Sequence, residues 1–206
     1  IRQAKSLPDS VEKFCALGKA LSRQLRYREA VAAYTEGLNL EPENLSLLRL
    51  RAGRYLTTLQ SDPAIADFEK CLTLGAEKLD CLYRIGLAQY YAGRYEQAME
   101  AFEGCMPLCD DEMGIAVLYW HTLSAVRAEK ASTLLNNYRL DMAVGHHTAY
   151  EKAMRVWSGT TPLAAALEML EREEDDLEYG ITLYGLLWHP DCAERERLSQ
   201  VLLRRD

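Results

Sequence analysis

Residues 82–102 read LYRIGLAQYYAGRYEQAMEAF. Apolar residues follow a helical spacing on both sides of the polar turn AGRY: Leu82 and Ile85 precede the turn, and Ala98 and Phe102 follow it. Residues three or four apart lie on the same face of an α-helix. This stretch therefore predicts two amphipathic helices joined by a short turn.

The same arrangement occurs three times along the chain, at a period of 34 residues. Four kinds of position repeat together: Ala30, Ala64 and Ala98; Tyr34, Phe68 and Phe102; Gly18, Ala52 and Gly86; Gly37, Cys71 and Cys105. A small residue allows two helices to approach closely, and the aromatic ring fills the space toward the next unit. The sequence predicts three regular helical hairpins, at 11–44, 45–78 and 79–112.

This pattern resembles the tetratricopeptide-repeat (TPR) family, whose 34-residue motif is W-x2-L-G-x2-Y, then A-x3-F, then P. The first unit carries the motif as Phe14, Leu17, Gly18, Leu21, Ala30, Tyr34 and Pro42. The second unit departs from it at Arg51, where the family has leucine, and at Ala76, where the family has proline. The resemblance implies an all-α fold: a right-handed TPR superhelix, or α-solenoid, of antiparallel helix pairs.

After residue 112 the period fades while the helical spacing continues. Helices are expected at 113–130, 131–138, 143–157, 163–173, 176–188 and 191–204. Residues 1–112 thus hold the regular repeats, and residues 113–206 are expected to continue the same solenoid as degenerate TPR-like hairpins. This layout is similar to that of bacterial TPR scaffold lipoproteins, which favours a bacterial origin and leaves an envelope-associated scaffold as one alternative.

Composition narrows the class of partner. The 206 residues carry a net charge of −7, which disfavours nucleic acid as the main partner because both surfaces would be negative. No apolar run is long enough for a transmembrane segment. The six cysteines form no CxxC pair and are expected to be reduced, as in a cytoplasmic protein. A signal or lipid anchor upstream of Ile1 stays an open alternative.

Candidate catalytic and metal-binding residues all have simpler explanations. His146 and His147 are adjacent, so on a helix they would point about 100° apart. Cys105 and Cys109 have the spacing of two metal ligands, but Cys105 occupies a small core position of the repeat. The acidic run at 173–176 is typical of a helix start. We expect no enzyme and no cofactor, with a hydrolase hidden in the C-terminal half as an alternative.

The TPR resemblance places a binding groove along the first helix of each repeat. Its predicted residues are Lys19, Arg23, Arg49, Tyr83, Arg84, Leu87, Tyr90, Tyr91 and His121. Tyrosine and arginine are well suited to protein recognition. The alternative interpretation is that the tyrosines pack on the next repeat and the basic residues pair with Glu12 and Asp80.

Chaperone-binding TPRs hold lysine and asparagine at fixed groove positions. Here those positions are Cys15, Lys19, Leu50, Asp80 and Arg84. Only two are basic, so the tail of a chaperone is not the expected ligand. The predicted function is a protein–protein interaction scaffold or adaptor that binds a peptide or protein surface in its concave groove. A self-associating structural homo-oligomer is the first alternative.

Overall fold

The protein is described by a computed structural model covering residues 9–193 and 195–202. Within these residues the chain forms eleven α-helices and no β-strand. The helices are α1 (Val11–Arg23), α2 (Tyr27–Leu40), α3 (Leu45–Thr57), α4 (Ser61–Thr73), α5 (Lys78–Tyr91), α6 (Tyr95–Cys105), α7 (Asp111–Arg127), α8 (Thr148–Trp157), α9 (Leu163–Leu170), α10 (Asp176–Leu187) and α11 (Arg195–Leu202). Short 3-10 turns lie at Met106–Leu108 and Leu135–Asn137.

The chain divides into two compact units, Ile1–Ala101 and Phe102–Asp206. This division falls inside α6, eleven residues before the predicted end of the regular repeats at residue 112. The continuation of one solenoid through both units stays a prediction.

Helix starts recur with the repeat. The Ser10 side chain accepts a hydrogen bond from the backbone N–H of Lys13 at 3.1 Å, and Asn44 accepts one from Leu47 at 3.1 Å. Ser10 and Asn44 are one repeat apart and cap α1 and α3, the first helices of two successive hairpins. Such caps satisfy backbone donors that have no partner inside the helix. Local chemistry therefore starts the equivalent helices at equivalent places.

The core of the first unit confirms the predicted repeat positions. Helices α1 to α4 each pack on the next one along the chain, up to α5. Ala30 and Ala64 are fully buried, and Tyr34 and Phe68 are each 1% exposed. A Cβ atom on Gly18 would lie only 2.6 Å from Cδ1 of the Tyr34 ring. The aromatic ring of the motif therefore packs directly on its small residue, which leaves room for the ring.

The second unit packs in a different order. Helix α7 is buried on nearly all sides and packs on α8, which in turn packs on α10. The Tyr119 hydroxyl donates to the carbonyl of Ile181 at 2.7 Å, and the Trp157 indole N–H donates to the carbonyl of Gly185 at 3.1 Å. Aromatic side chains with polar ends therefore link α7 and α8 to α10.

The predicted helix at 131–138 is wrong. Between α7 and α8 the chain is irregular apart from the turn at Leu135–Asn137, and α8 begins at Thr148 rather than at residue 143. Helix α7 ends where Glu129 takes a left-handed φ of 58°. The Asp111 carboxylate then accepts hydrogen bonds from Arg139 at 2.9 Å and from the Ala143 backbone at 3.1 Å. These long-range bonds hold the irregular chain at residues 139–143 to the start of α7.

Candidate functional site

A cleft of about 390 Å³ opens in the first unit, along the first helices of the three regular repeats. Helices α1, α3 and α5 all contribute side chains to it, with one ring from α4. The lining residues are Lys19; Leu45, Ser46, Arg49, Leu50, Gly53 and Arg54; Phe68; and Asp80 and Arg84. The cleft therefore lies where the TPR resemblance predicts the groove.

Asp80 lies between two arginines of the cleft. Its Oδ2 accepts from Arg49 Nη2 at 2.7 Å, and its Oδ1 accepts from Arg84 Nε at 2.7 Å. Arg84 is one helical turn beyond Asp80 on α5, whereas Arg49 reaches across from α3. The cluster thus joins the second and third repeats. Both arginines thus pair with Asp80, as the alternative interpretation expected, and both also line the cleft.

The charge state of the cluster follows from these contacts. Burial alone would raise the pKa of Asp80, but the hydrogen bonds and charges of Arg84 and Arg49 outweigh it and hold the pKa below its ordinary value of 3.8. The Asp80 hydrogen bond likewise raises the pKa of Arg49. Both shifts favour the charged forms of Asp80 and Arg49.

Two further cations line the cleft. Lys19 is exposed, and its side chain makes no ion pair with any of the described residues. The Arg54 guanidinium lies 5.2 Å from the centre of the Tyr27 ring. On the apolar side, Arg84 stands 6.0 Å from the centre of the Phe68 ring. The cleft offers cationic groups beside an apolar floor.

The structure places the other predicted groove residues in different surroundings. Tyr83 and Leu87 on α5 are half-buried, and Arg23 on α1 is exposed. Tyr91 is 48% exposed, but Tyr90 is only 4% exposed and its ring lies edge-on to Tyr91 at 5.9 Å. Tyr90 is therefore a packing residue, as the alternative interpretation held, and presents little surface to a partner.

His121 lies in the second unit and is fully buried. Its Nδ1 lies 2.9 Å from Ser132 Oγ, and its Nε2 lies 3.3 Å from Thr133 Oγ1 and 3.5 Å from Glu103 Oε1. Desolvation lowers the pKa of His121, although Glu103 opposes the shift. These contacts hold residues 132 and 133 against α7, so His121 serves packing rather than an open groove.

The repeat register places Gly53 at the groove position that Lys19 holds in the first repeat. Sequence reasoning did not single out Arg54 or Phe68 as site residues. Phe68 was assigned to the core by its repeat position, and it is indeed buried while one side of its ring reaches the cleft.

In the described part of the chain, no three or more His, Cys, Asp or Glu side chains are grouped to hold a metal ion. All six cysteines are free, and none of the helices in these ranges has the length and apolarity of a membrane-spanning segment.

Comparisons with known proteins agree with the motif and the fold. The family model "Tetratricopeptide repeat" matches residues 79–108. "Tetratricopeptide repeat protein 28" of Mus musculus is 27% identical over 113 residues, which are 55% of this chain and 4% of the relative. The "Heat-shock protein cognate (HSC) co-chaperone sgt12" of Aspergillus fumigatus is 30% identical over 96 residues, or 47% of this chain and 28% of the relative. The "Hsp70-Hsp90 organizing protein" of Triticum aestivum is 28% identical over 86 residues, or 42% of this chain and 15% of the relative.

Among solved structures, the chain is similar to the one titled "Crystal structure of YrrB: a TPR protein with an unusual peptide-binding site". The TM-score is 0.54 at 14% identity, and 91% of each chain is covered. The fold is that of a TPR α-solenoid. These findings support membership of the tetratricopeptide-repeat family, a class of protein-interaction scaffolds. The chain covers less than a third of each curated relative named, and those relatives are eukaryotic, so a bacterial origin is not confirmed.

Proposed function

We propose that this chain is a non-catalytic adaptor whose first unit binds a peptide segment of a partner protein in the cleft described above. One observation carries the proposal: a single cleft receives side chains from the first helix of all three regular repeats. A peptide lying along it would contact each repeat in turn, and this is how stacked repeats form extended binding surfaces.

The chemistry of the lining supports a peptide over a small metabolite. The cleft combines exposed cations with leucine and phenylalanine side chains. Such a mixture allows a groove to bind the main chain of a peptide and to select among its side chains. The likeness to co-chaperones and to a structure whose title names a peptide-binding site points the same way. The curated relatives are much longer than this chain, so their partners are not carried over.

A peptide-display screen followed by affinity measurement tests the proposal. Peptides selected on the whole chain would be measured by fluorescence anisotropy against Lys19→Ala and against Lys70→Ala. Lys70 supplies a matched control because it is a cation outside the cleft lining, paired with Glu43 at 2.6 Å. We expect Lys19→Ala to weaken binding about three- to fivefold, the size of one exposed ion pair, and Lys70→Ala to leave it unchanged. Equal effects of the two variants would count against the cleft.

A further inference from the structure

We propose that the partner segment is acidic and extended, and that Asp80 determines how tightly the groove holds it. This inference rests on the function proposed above. Asp80 is a carboxylate of the chain itself that occupies the Arg49–Arg84 pair, so an incoming carboxylate must compete with it.

The charge of the cleft favours an acidic occupant. Lys19, Arg49, Arg54 and Arg84 line it, against the single carboxylate of Asp80. The chain as a whole carries a net charge of −7, so this local excess of positive charge is opposite in sign to the rest of the molecule. A cationic cleft on an anionic protein attracts acidic segments and orients them toward the cleft.

The arrangement of the cluster makes Asp80 an internal competitor. The side chains of Arg49 and Arg84 are 45% and 43% exposed, whereas that of Asp80 is 20% exposed. A ligand therefore meets the guanidinium groups first, with the carboxylate between them. Each guanidinium has five N–H donors and donates one hydrogen bond to Asp80, so donors remain for a second carboxylate. Because Asp80 is attached to the same chain, its effective concentration is high and it reduces the affinity for any free carboxylate.

Gly53 gives a second, independent indication of a ligand. It lies inside α3, where glycine is less favourable than alanine because it loses more backbone freedom on folding. A Cβ atom at this position would meet none of the described atoms within 4 Å, so packing does not require glycine here. Gly18 is different, because the Tyr34 ring lies on it. A glycine in the cleft lining with free space above it leaves room for the close approach of another main chain.

The two features together define the occupant. An extended main chain would cross α3 at Gly53. Its acidic side chains would reach Lys19 on one side and the Arg49–Arg84 pair on the other. The equivalent positions of the first and third repeats hold Lys19 and Leu87, so only the second repeat has this gap.

The test uses the whole chain and two fluorescein-labelled dodecapeptides in which glycine alternates with either glutamate or lysine. Fluorescence anisotropy gives the Kd for the wild type, for Asp80→Asn and Asp80→Ser, for Gly53→Leu, and for Lys70→Ala as the control. We expect both Asp80 variants to bind the glutamate peptide about tenfold more tightly, Gly53→Leu to bind it at least tenfold more weakly, and the control to match the wild type. The lysine peptide should bind to none of them. Circular dichroism of each variant confirms that the helices are retained.

The outcomes separate this inference from the function on which it rests. If Gly53→Leu weakens binding but neither Asp80 variant tightens it, the cleft remains the binding site and the role of Asp80 is refuted. If Gly53→Leu has no effect, the peptide binds elsewhere and both ideas fail. Absence of binding to the glutamate peptide by every variant also overturns the acidic assignment.

Discussion

Arg51 on α3 and Asp67 on α4 form a two-pronged ion pair within the second repeat. Arg51 Nε lies 2.8 Å from Asp67 Oδ2, and Arg51 Nη2 lies 2.8 Å from Asp67 Oδ1. The third guanidinium nitrogen donates to Thr35 Oγ1 of the first repeat at 3.1 Å. The side chains of Arg51 and Asp67 are 20% and 10% exposed. Through these contacts Arg51 links three helices, α2, α3 and α4, and two repeats from a largely buried position.

The neighbouring repeats use apolar residues at the same two positions. With a period of 34, Arg51 and Asp67 correspond to Leu17 and Ala33 and to Ile85 and Ala101. A buried charge that loses its partner is strongly destabilising, whereas replacement of both members by well-packed apolar residues often costs little. The chain thus supplies its own template for a double substitution.

We expect Asp67→Ala alone to lower the free energy of unfolding by about 3 kcal/mol, because it leaves the Arg51 guanidinium buried without a carboxylate. The double variant Arg51→Leu/Asp67→Ala should recover most of this loss. Urea denaturation followed by circular dichroism measures both. A double variant that is as unstable as the single one would show that the ion pair contributes more than an apolar pair could.

Two helix-interior glycines should respond in opposite directions to the same change. Gly18→Ala pushes a methyl group into the Tyr34 ring, so we expect a loss of about 2 kcal/mol in unfolding free energy. Gly53→Ala adds a methyl group in open space and improves helix propensity, so we expect a gain of about 0.5–1 kcal/mol. Thermal and urea unfolding give both values. A loss of stability in Gly53→Ala would mean that the open space has a structural role.

The turns inside the three regular hairpins share one left-handed position, at Leu25, Leu59 and Gly93, with φ of 59°, 56° and 75°. This conformation costs most residues other than glycine about 1 kcal/mol or more. Leu25 and Leu59 are 72% and 67% exposed, so their side chains contribute little burial. We expect Leu25→Gly and Leu59→Gly each to stabilise the fold by about 0.5–1 kcal/mol.

The reverse change in the third repeat is the control. Gly93→Leu should destabilise the fold by about 1 kcal/mol, and urea midpoints compare all three variants. If the two leucine variants lose stability instead, then these exposed side chains make contacts that offset the strained backbone.

The regular repeats could be predicted from the sequence because their core positions are local and periodic. Ala30 and Tyr34 are buried, as their spacing implies. The irregular segment after α7 could not be predicted. Residues 131–138 have helical spacing, but Thr133 bonds to Glu103, and just beyond them Arg139 and Ala143 bond to Asp111. Periodicity identifies neighbours along one helix, but it does not reveal contacts between residues about 30 positions apart in the sequence.

The site was predictable to a similar degree. The repeat register brought Lys19, Arg49 and Arg84 to one cleft, since equivalent positions of stacked repeats face the same way. It could not tell that Tyr90 turns into the core, because its exposure depends on how α6 packs beside it. It left open whether the basic residues pair with Asp80, since that depends on side-chain reach between helices.

His121 should make the stability of the protein sensitive to mild acid. Burial lowers its pKa from 6.5, so below about pH 6.5 the unfolded chain binds a proton that the folded chain does not. Its contribution to stability is therefore intact above pH 6.5 and falls as the pH decreases, by up to about 1.4 kcal/mol per pH unit until the folded pKa is reached. We expect His121→Gln to flatten the slope of unfolding free energy against pH between about 7 and 5. This expectation concerns the slope and is independent of any change in the free energy of unfolding at pH 7. His146→Gln serves as the control: its side chain is 86% exposed, so solvent screens its ion pair with Glu112 and the slope should stay close to that of the wild type. Urea denaturation at half-unit pH intervals measures the slopes, and an unchanged slope in His121→Gln would show that the buried imidazole is not the group that titrates.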